Sequence, residues 1–489
     1  MAEDALRAER LKKLAELREL GIDPYPSHIP HTSTVAHFLD TFAEREQSDI
    51  KESVSLAGRV MSLREHGGIV FADLFDGTRI QLVVRREDIG DTSYDIFLKL
   101  VDQGDLISAT GEAFTTKRGE RSLKVSSWTM AAKSLLPLPS EWFGIKDEDT
   151  RYRQRYLDII LEGAVRETIV RRAAFWRTIR DFLLARDFLE VETPILETEP
   201  GGADARPFVT HHNALDIDVY LRISAGELWQ KRLLVAGFEK VFEIGRIFRN
   251  EGMSHEHLQD YTQLEFYQAF SNMEEGMTLV QDLYRTIAEK VYGTMEFTYR
   301  DHTVNLAAPW PRIDFCEQIR TSFGIDPLAC TDAEAVEAAE KAGIPLDAAA
   351  RNTPRIVDLM WKQVRKTMSG PAFLVGVPVY LEPLAKRSPE SPKTVERFQV
   401  ILGGSEIGKG FSELNDPLDQ LERFEHQQAL REAGDEEAQR LDRDYVEALE
   451  YGMPPAFGFG VSERLFSFFE NKNVRECQIF PLMKPRSEE

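Results

Sequence analysis

The chain has 489 residues, with 60 Lys+Arg against 82 Asp+Glu and a formal charge of −22 at pH 7. At 42% hydrophobic, 10% aromatic and 29% charged, it can bury large cores, which excludes a disordered or collagen-like chain, and its length suits two to four domains. So acidic a balance argues against general affinity for nucleic acid, whose phosphates demand Lys and Arg, unless local patches override it. The opening MAEDALRAERLKKL lacks the apolar core of a signal peptide, and no stretch approaches the roughly 18 uncharged apolar residues of a membrane span. A cytoplasmic protein with no membrane partner is expected. Cys316, Cys330 and Cys477 are too few and too scattered for a disulfide framework or a zinc cluster.

In chain order, residues 3–20 carry Leu6, Leu11, Leu14, Leu17 and Leu20 with basic residues between, which predicts an amphipathic helix ending at Gly21. It either packs on the body of the protein or offers a basic arm to RNA. Five runs rich in β-branched and aromatic residues follow, at 54–64, 69–75, 79–84, 106–116 and 122–131, with turn signals at Gly67-Gly68, Asp76-Gly77 and Arg118-Gly119. A helical stretch near 91–102 separates the third from the fourth. Five strands and one helix form the pattern of a small OB-type barrel, a fold that binds oligonucleotides or sugars, although other small barrels share the pattern. The proline-punctuated stretch 134–150 reads as a linker. The predicted organisation is a lead-in over 1–50, a barrel over 51–135, a linker over 136–160 and a larger domain over 161–489. That domain opens with a helix over 163–186. Strands are predicted within 207–223, 240–270, 372–381, 395–403 and 456–460, and helices near 273–291, 331–343, 355–368 and 416–450.

Neither GxxxxGK[ST] nor a strand-linked GxGxxG is present, so a bound nucleotide must be held another way. Phe242–Gly252 (FEIGRIFRNEG) sets Arg246 and Arg249 before Glu251. Guanidinium forks suit phosphate or carboxylate oxygens, and a glutamate can accept from an adenine amino group. Tyr261–Tyr267 (YTQLEFY) alternates like a strand, placing Tyr261, Gln263, Glu265 and Tyr267 on one face. Such a polar face suits a pocket floor or an exposed strand.

These strings, with FLEVETP at 188–194, GFGVSERL at 458–465, ARPF at 205–208, THHNAL at 210–215, GFEKVFEIG at 237–245, FSELNDP at 411–417 and RQRYLD at 153–158, resemble the class II aminoacyl-tRNA synthetases, closest to the lysine-specific branch, over essentially the whole chain. The resemblance implies an α+β protein. An N-terminal OB-fold anticodon-binding barrel would precede a catalytic domain built on a mostly antiparallel sheet, in a homodimer. The implied reaction is ATP-dependent activation of L-lysine to lysyl-adenylate with release of pyrophosphate, then transfer to the 3′-terminal adenosine of tRNA(Lys), with Mg2+ as metal. It is a reaction of positioning and charge stabilisation. By the same resemblance Arg249 would bridge the lysine carboxylate and the α-phosphate, and Tyr261 and Arg464 would sandwich adenine. Glu251 would meet the adenine amino group, His257 the γ-phosphate, and Glu406 would serve ATP and metal. Lysine would be held by Gly202, Glu227 at its α-amino group, Arg249, and Glu265, Tyr267 and Glu413 near its ε-ammonium. Glu406 and Glu413 are the implied metal residues, and Phe71, Gln81 and Glu120 the anticodon-binding ones. Phe71 could equally be a barrel core residue.

The sequence departs from the family pattern in four places. Gln399 stands where the family has a metal-binding glutamate, and Lys409 where it has an asparagine, a change of +2 that equals one magnesium ion. Lys409 is therefore a candidate metal substitute, or else it turns away to pair with Glu406. Arg222–Glu227 (RISAGE) and the Gly460-to-Arg464 spacing are each one residue longer than in the family pattern. An aspartyl- or asparaginyl-type enzyme and a non-catalytic RNA-binding paralogue are the alternatives. The local charge is neutral over 51–133, +5 over 151–186 and −9 over 411–450, where a solvated helix is expected.

Overall fold

The computed structural model describes residues 2–48, 52–139, 145–203, 205–252, 254–346, 351–432 and 438–486. They fall into two compact units, Met1–Leu161 and Glu162–Glu489.

In the first unit, strands β1 (Val54–His66), β2 (Ile69–Phe75), β3 (Arg79–Arg85), β4 (Leu106–Thr115) and β5 (Arg121–Ala132) close a barrel in the order β1-β2-β3-β5-β4. Period-two alternation drives it: Val70, Ala72 and Leu74 of β2 are buried while their neighbours are not. The helix Asp91–Leu100 buries Tyr94, Phe97 and Leu100 in the same core. The first helix, Ala2–Glu19, packs through Leu14 and Leu17. Its Arg10 guanidinium donates to the carbonyls of Gln103, Ser134 and Leu136, and Lys13 pairs with Asp102 at 2.6 Å. Packing on its own unit thus claims Arg10 and Lys13. The stretch expected as a linker holds two short helices, Glu148–Arg153 and Arg155–Leu161, because Asp147 caps the first and Arg151 and Arg155 both grip the buried Asp158. Residues 140–144 of that stretch lie outside the described residues.

In the second unit the strands are β6 (Leu189–Glu190), β7 (Leu196–Glu197), β8 (Val209–His212), β9 (Ile217–Leu221), β10 (Lys240–Phe248), β11 (Asp260–Ala269), β12 (Glu296–Tyr299), β13 (His302–Asn305), β14 (Arg312–Asp314), β15 (Ala372–Val375), β16 (Arg397–Leu402), β17 (Ser405–Ser412) and β18 (Ala456–Ser462). Eight of them form one sheet, β14-β15-β16-β17-β18-β11-β10-β6, antiparallel except at its two outermost pairs. The helices Gly163–Leu184 and Met273–Ile287 contribute to the core on one face with Leu264 and Phe266 of β11 and Phe457, Phe459 and Val461 of β18. Alternation therefore turns Gln263, Glu265 and Tyr267, and Gly458 and Gly460, to the opposite face.

Two expectations are corrected. Strand β17 escapes a propensity reading because Gly408 and Gly410 within it, and Gly403-Gly404 just before it, leave Ile407 as its one β-branched residue. The segment 416–450 is not one solvated helix. It holds Pro417–Glu432 and Arg443–Glu450, which bury Phe424, Tyr445, Val446 and Leu449, and residues 433–437 lie outside the described residues.

Candidate active site

A cavity of about 480 Å³ opens over the polar face of β11, β16, β17 and β18. Of the expected residues, Gly202, Glu227, Arg249, Glu251, His257, Tyr261, Glu265, Tyr267, Glu406, Lys409 and Arg464 all line it. Chain folding explains the convergence. In β17 two residues, Ile407 and Gly408, oppose the single Val400 of β16 between the pairs Ile401–Glu406 and Gln399–Lys409. This bulge, at Gly408 with φ 94°, lets Glu406 and Lys409 both line the cavity despite a spacing that would set them on opposite faces.

At one end, the Arg249 Nε donates to the Ile223 carbonyl at 3.2 Å and its guanidinium lies 5.8 Å from the Tyr261 ring. Arg464 donates to Glu256 at 2.6 Å, and Arg300 and Ser405 meet the same carboxylate. Burial pushes the Glu256 carboxyl up, but Arg464, Ser405 and Arg300 together hold it at about 2. Burial, and then the nearby Arg464, push the His257 imidazole below its usual value. Ser254 Oγ and His257 Nδ1 share a hydrogen bond of 2.7 Å. Glu256 escaped the sequence reading, because nothing local marks it as the partner of Arg464.

At the other end, Glu265 is 3% exposed and accepts from Ala225 N at 2.8 Å, Gln263 Nε2 at 2.5 Å and Tyr267 Oη at 3.0 Å. Burial, and then the charge of Glu227, push its carboxyl up to about 7. Beside it Glu227 accepts from Lys231 Nζ at 2.6 Å. Glu413 does not line the cavity. It is 1% exposed, paired with the same Lys231 at 2.5 Å, and lies beneath Gly458, where any Cβ would overlap its Oε1 and the Tyr267 ring. Glu413 thus sits just behind the cavity wall, with Lys231 as its ion-pair partner and neither carboxylate oxygen holding a hydrogen bond among the described residues.

The metal expectation also changes. Glu406 accepts from Trp361 Nε1 at 2.6 Å, while Glu413 follows seven residues later on an extended strand, roughly 20 Å away at about 3.3 Å per residue. They are not a metal pair, and among the described residues no group of three or more His, Cys, Asp or Glu side chains could hold a metal ion. Lys409 pairs not with Glu406 but with Glu382, at 3.0 and 3.2 Å. Arg397 shares that carboxylate at 2.9 Å and donates to Gln399. An amide and two cations in this corner do not suit a second divalent ion. Glu406 alone suits one held mainly by phosphate oxygens.

The extra residue in 222–227 is absorbed at Gly226, in the left-handed region at φ 78° just before the helix Glu227–Val235, where a Cβ would overlap Thr193. The long third string ends β18 at Ser462 and starts a helix at Arg464, with Glu463 buried against Arg172.

In the first unit, the register Phe71–Val83 and Asp73–Gln81 puts Phe71 and Gln81 on one face of β2 and β3, away from the core side chains of β2. Phe71 is therefore half-buried outside the core rather than part of it. Gln81 donates to Glu120 at 3.0 Å and accepts from Ser122 Oγ at 3.1 Å.

Residues 147–484 match the family model described as tRNA synthetases class II (D, K and N), and residues 54–131 match the OB-fold nucleic acid binding domain. The chain is 46% identical over 483 residues to the lysine–tRNA ligase of Pelotomaculum thermopropionicum, covering 98% of this chain and 94% of that protein. It is 44% identical to those of Carboxydothermus hydrogenoformans and Moorella thermoacetica, covering 98% and 100% of this chain and 97% and 99% of theirs. A barrel and an antiparallel catalytic sheet with a cavity of arginines and buried carboxylates, matched nearly end to end by such relatives, place the chain in the lysine–tRNA ligase branch of the class II tRNA synthetases.

Proposed function

We infer that the chain activates L-lysine with ATP, releases pyrophosphate and transfers the lysine to the 3′-terminal adenosine of tRNA(Lys). The observation that carries lysine as the amino acid is Glu265, a buried carboxylate on the cavity wall held by Ala225, Gln263 and Tyr267 beside Glu227. An incoming ammonium would pair with it, whereas a neutral side chain would leave it buried and uncompensated. Unpaired polar groups of that kind support discrimination on the order of 10⁴.

In this reading Arg249 aligns the lysine carboxylate with the α-phosphate, and Tyr261 and Arg464 stack on adenine, with Glu251 at its amino group. His257 faces the outer phosphates. Glu406 would hold one Mg2+ together with those phosphates, and the ion supplies charge neutralisation when bound. Lys409 stands as fixed positive charge in place of a second ion, tethered by Glu382. Phe71, Gln81 and Glu120 read anticodon bases by stacking and edge hydrogen bonds. The protein acts as a homodimer in the cytoplasm. Exposed apolar residues Leu189, Ile195, Leu196, Val209 and Leu215 near the three-stranded β7-β9-β8 sheet support a covered face there. Exchange of labelled pyrophosphate into ATP, run across a panel of amino acids, tests the reading. Lysine alone should drive it. Aspartate or asparagine as the better substrate would overturn the assignment, and inactivity with every amino acid would favour a non-catalytic RNA-binding protein.

A further inference from the structure

Glu256 belongs to none of the strings that pointed to function, yet four separate elements meet at its carboxylate. It lies on the loop between β10 and β11 and lines the cavity. Ser254 folds that loop locally: its Oγ accepts from the Glu256 backbone N–H at 3.1 Å and shares the 2.7 Å hydrogen bond with His257 Nδ1. The backbone N–H of Val474 donates to the His255 carbonyl at 3.1 Å and ties the same turn to the end of the chain. Side-chain-to-backbone bonds of this kind fix a tight turn, and this one sets Glu256 against the cavity wall.

The two carboxylate oxygens have different partners. Oε1 accepts from Ser405 Oγ at 2.9 Å, at the start of β17, and pairs at 2.8 Å with Arg300, in the turn between β12 and β13. Arg300 is itself anchored, its backbone N–H donating to Asn471 Oδ1 at 2.9 Å. Oε2 accepts from the Arg464 guanidinium at 2.6 Å. One oxygen is thus braced on the scaffold while the other holds an arginine of the cavity. A guanidinium donates in its own plane, which leaves its faces open for stacking. A bond from Glu256 to the edge of Arg464 is therefore compatible with adenine on its face. It also removes in advance rotations that a free arginine would lose on binding.

We propose that Glu256 is a positioning residue for the nucleotide, whose Oε2 fixes the edge of the Arg464 guanidinium so that its face is set for adenine before ATP arrives. The inference rests on Arg464 stacking on adenine in the reading above. Two ligands then respond differently to loss of the Glu256 charge. Adenosine, recognised through its base, binds more weakly because Arg464 is released. Pyrophosphate does not, because a negative charge has been taken away from Arg464, Arg300 and the nearby Arg365.

Calorimetric binding of adenosine and, separately, of inorganic pyrophosphate to the full-length protein tests this in wild type, Glu256→Gln, Arg464→Met and the double variant Glu256→Gln/Arg464→Met. Glu256→Gln should weaken adenosine at least threefold while pyrophosphate binds as tightly as in wild type or more so. In the Arg464→Met background the same substitution should cost adenosine less than a further twofold, since Glu256 acts through Arg464. A smaller loss of adenosine in Glu256→Gln would overturn the proposal. So would an equal loss of both ligands, the mark of a loop that merely collapsed, or a full further loss in the double variant. Tighter adenosine binding would overturn it too, by showing a carboxylate that obstructs the site. If Glu256→Gln does not fold, by its melting transition, Arg300→Met decides: it removes one brace of Oε1 at an exposed turn and should weaken adenosine about twofold without weakening pyrophosphate, and unchanged adenosine binding would overturn the proposal. Wild type that binds adenosine no better than Arg464→Met would instead sink the placing of Arg464 on adenine.

Discussion

Glu265 holds an ionisable group where water barely reaches, and the fold accepts that cost. Its carboxyl is pushed up to about 7, from an unfolded value near 4.3. Between those two values the folded state binds more protons than the unfolded one, so stability falls as pH rises through that window, and the cost is fully present above pH 7. A bound ammonium offsets the cost only when Glu265 is ionised. Lysine should therefore raise the melting temperature more at pH 8 than at pH 6 in a thermal-shift measurement, and Glu265→Gln should remove the difference; equal shifts at the two pH values would contradict this account. Lys409 makes the second prediction at this scale. If its charge stands in for an ion, Lys409→Asn should need several-fold more magnesium for half-maximal exchange, and an unchanged magnesium titration would argue against it. At the level of residues, the alternation of Tyr261, Gln263, Glu265 and Tyr267 was legible. Lys231, Glu256 and Glu382 were not, because each acts through partners distant in the chain.

At the scale of elements, β18 brings its backbone close to two side chains of the site. Gly458 faces the cavity between Glu413 and Tyr267 with no room for a Cβ, whereas a Cβ on Gly460 would meet Glu265 Cγ at an ordinary 3.4 Å. Gly458→Ala should lower lysine-dependent exchange more than tenfold and cost about 1–3 kcal/mol, the usual penalty of overpacking. Gly460→Ala should unfold close to the wild-type denaturant midpoint. Equal stability of the two variants would show that the wall can give. The same close approach explains why a glycine-rich string reads poorly as strand, even though period-two alternation on either side of it is clear. The bulge in β17 was equally invisible in sequence, since only pairing with β16 reveals that two residues oppose one.

At the scale of the whole molecule, a net charge of −22 coexists with a nucleic-acid partner because charge is unevenly placed: the barrel stretch 51–133 is neutral and 151–186 carries +5. Binding of tRNA should therefore weaken steeply between about 50 and 200 mM salt, because counterions displaced by phosphate contacts gain less entropy on release into a saltier solution. Filter binding against salt measures this, and tight binding to random duplex DNA at physiological salt would contradict it. The amino-acid sequence by itself determined the barrel, the order of its strands along the chain, and which short strings converge on the cavity. Those features depend on alternation, turn residues and sterics acting within a few residues. The tertiary structure decided which charges meet. Lys231 sits between Glu227, one helical turn away, and Glu413, far along the chain, and Lys409 finds Glu382 rather than Glu406. Charge pairing in a buried site depends on distance and dielectric in three dimensions, and neither is written in local periodicity.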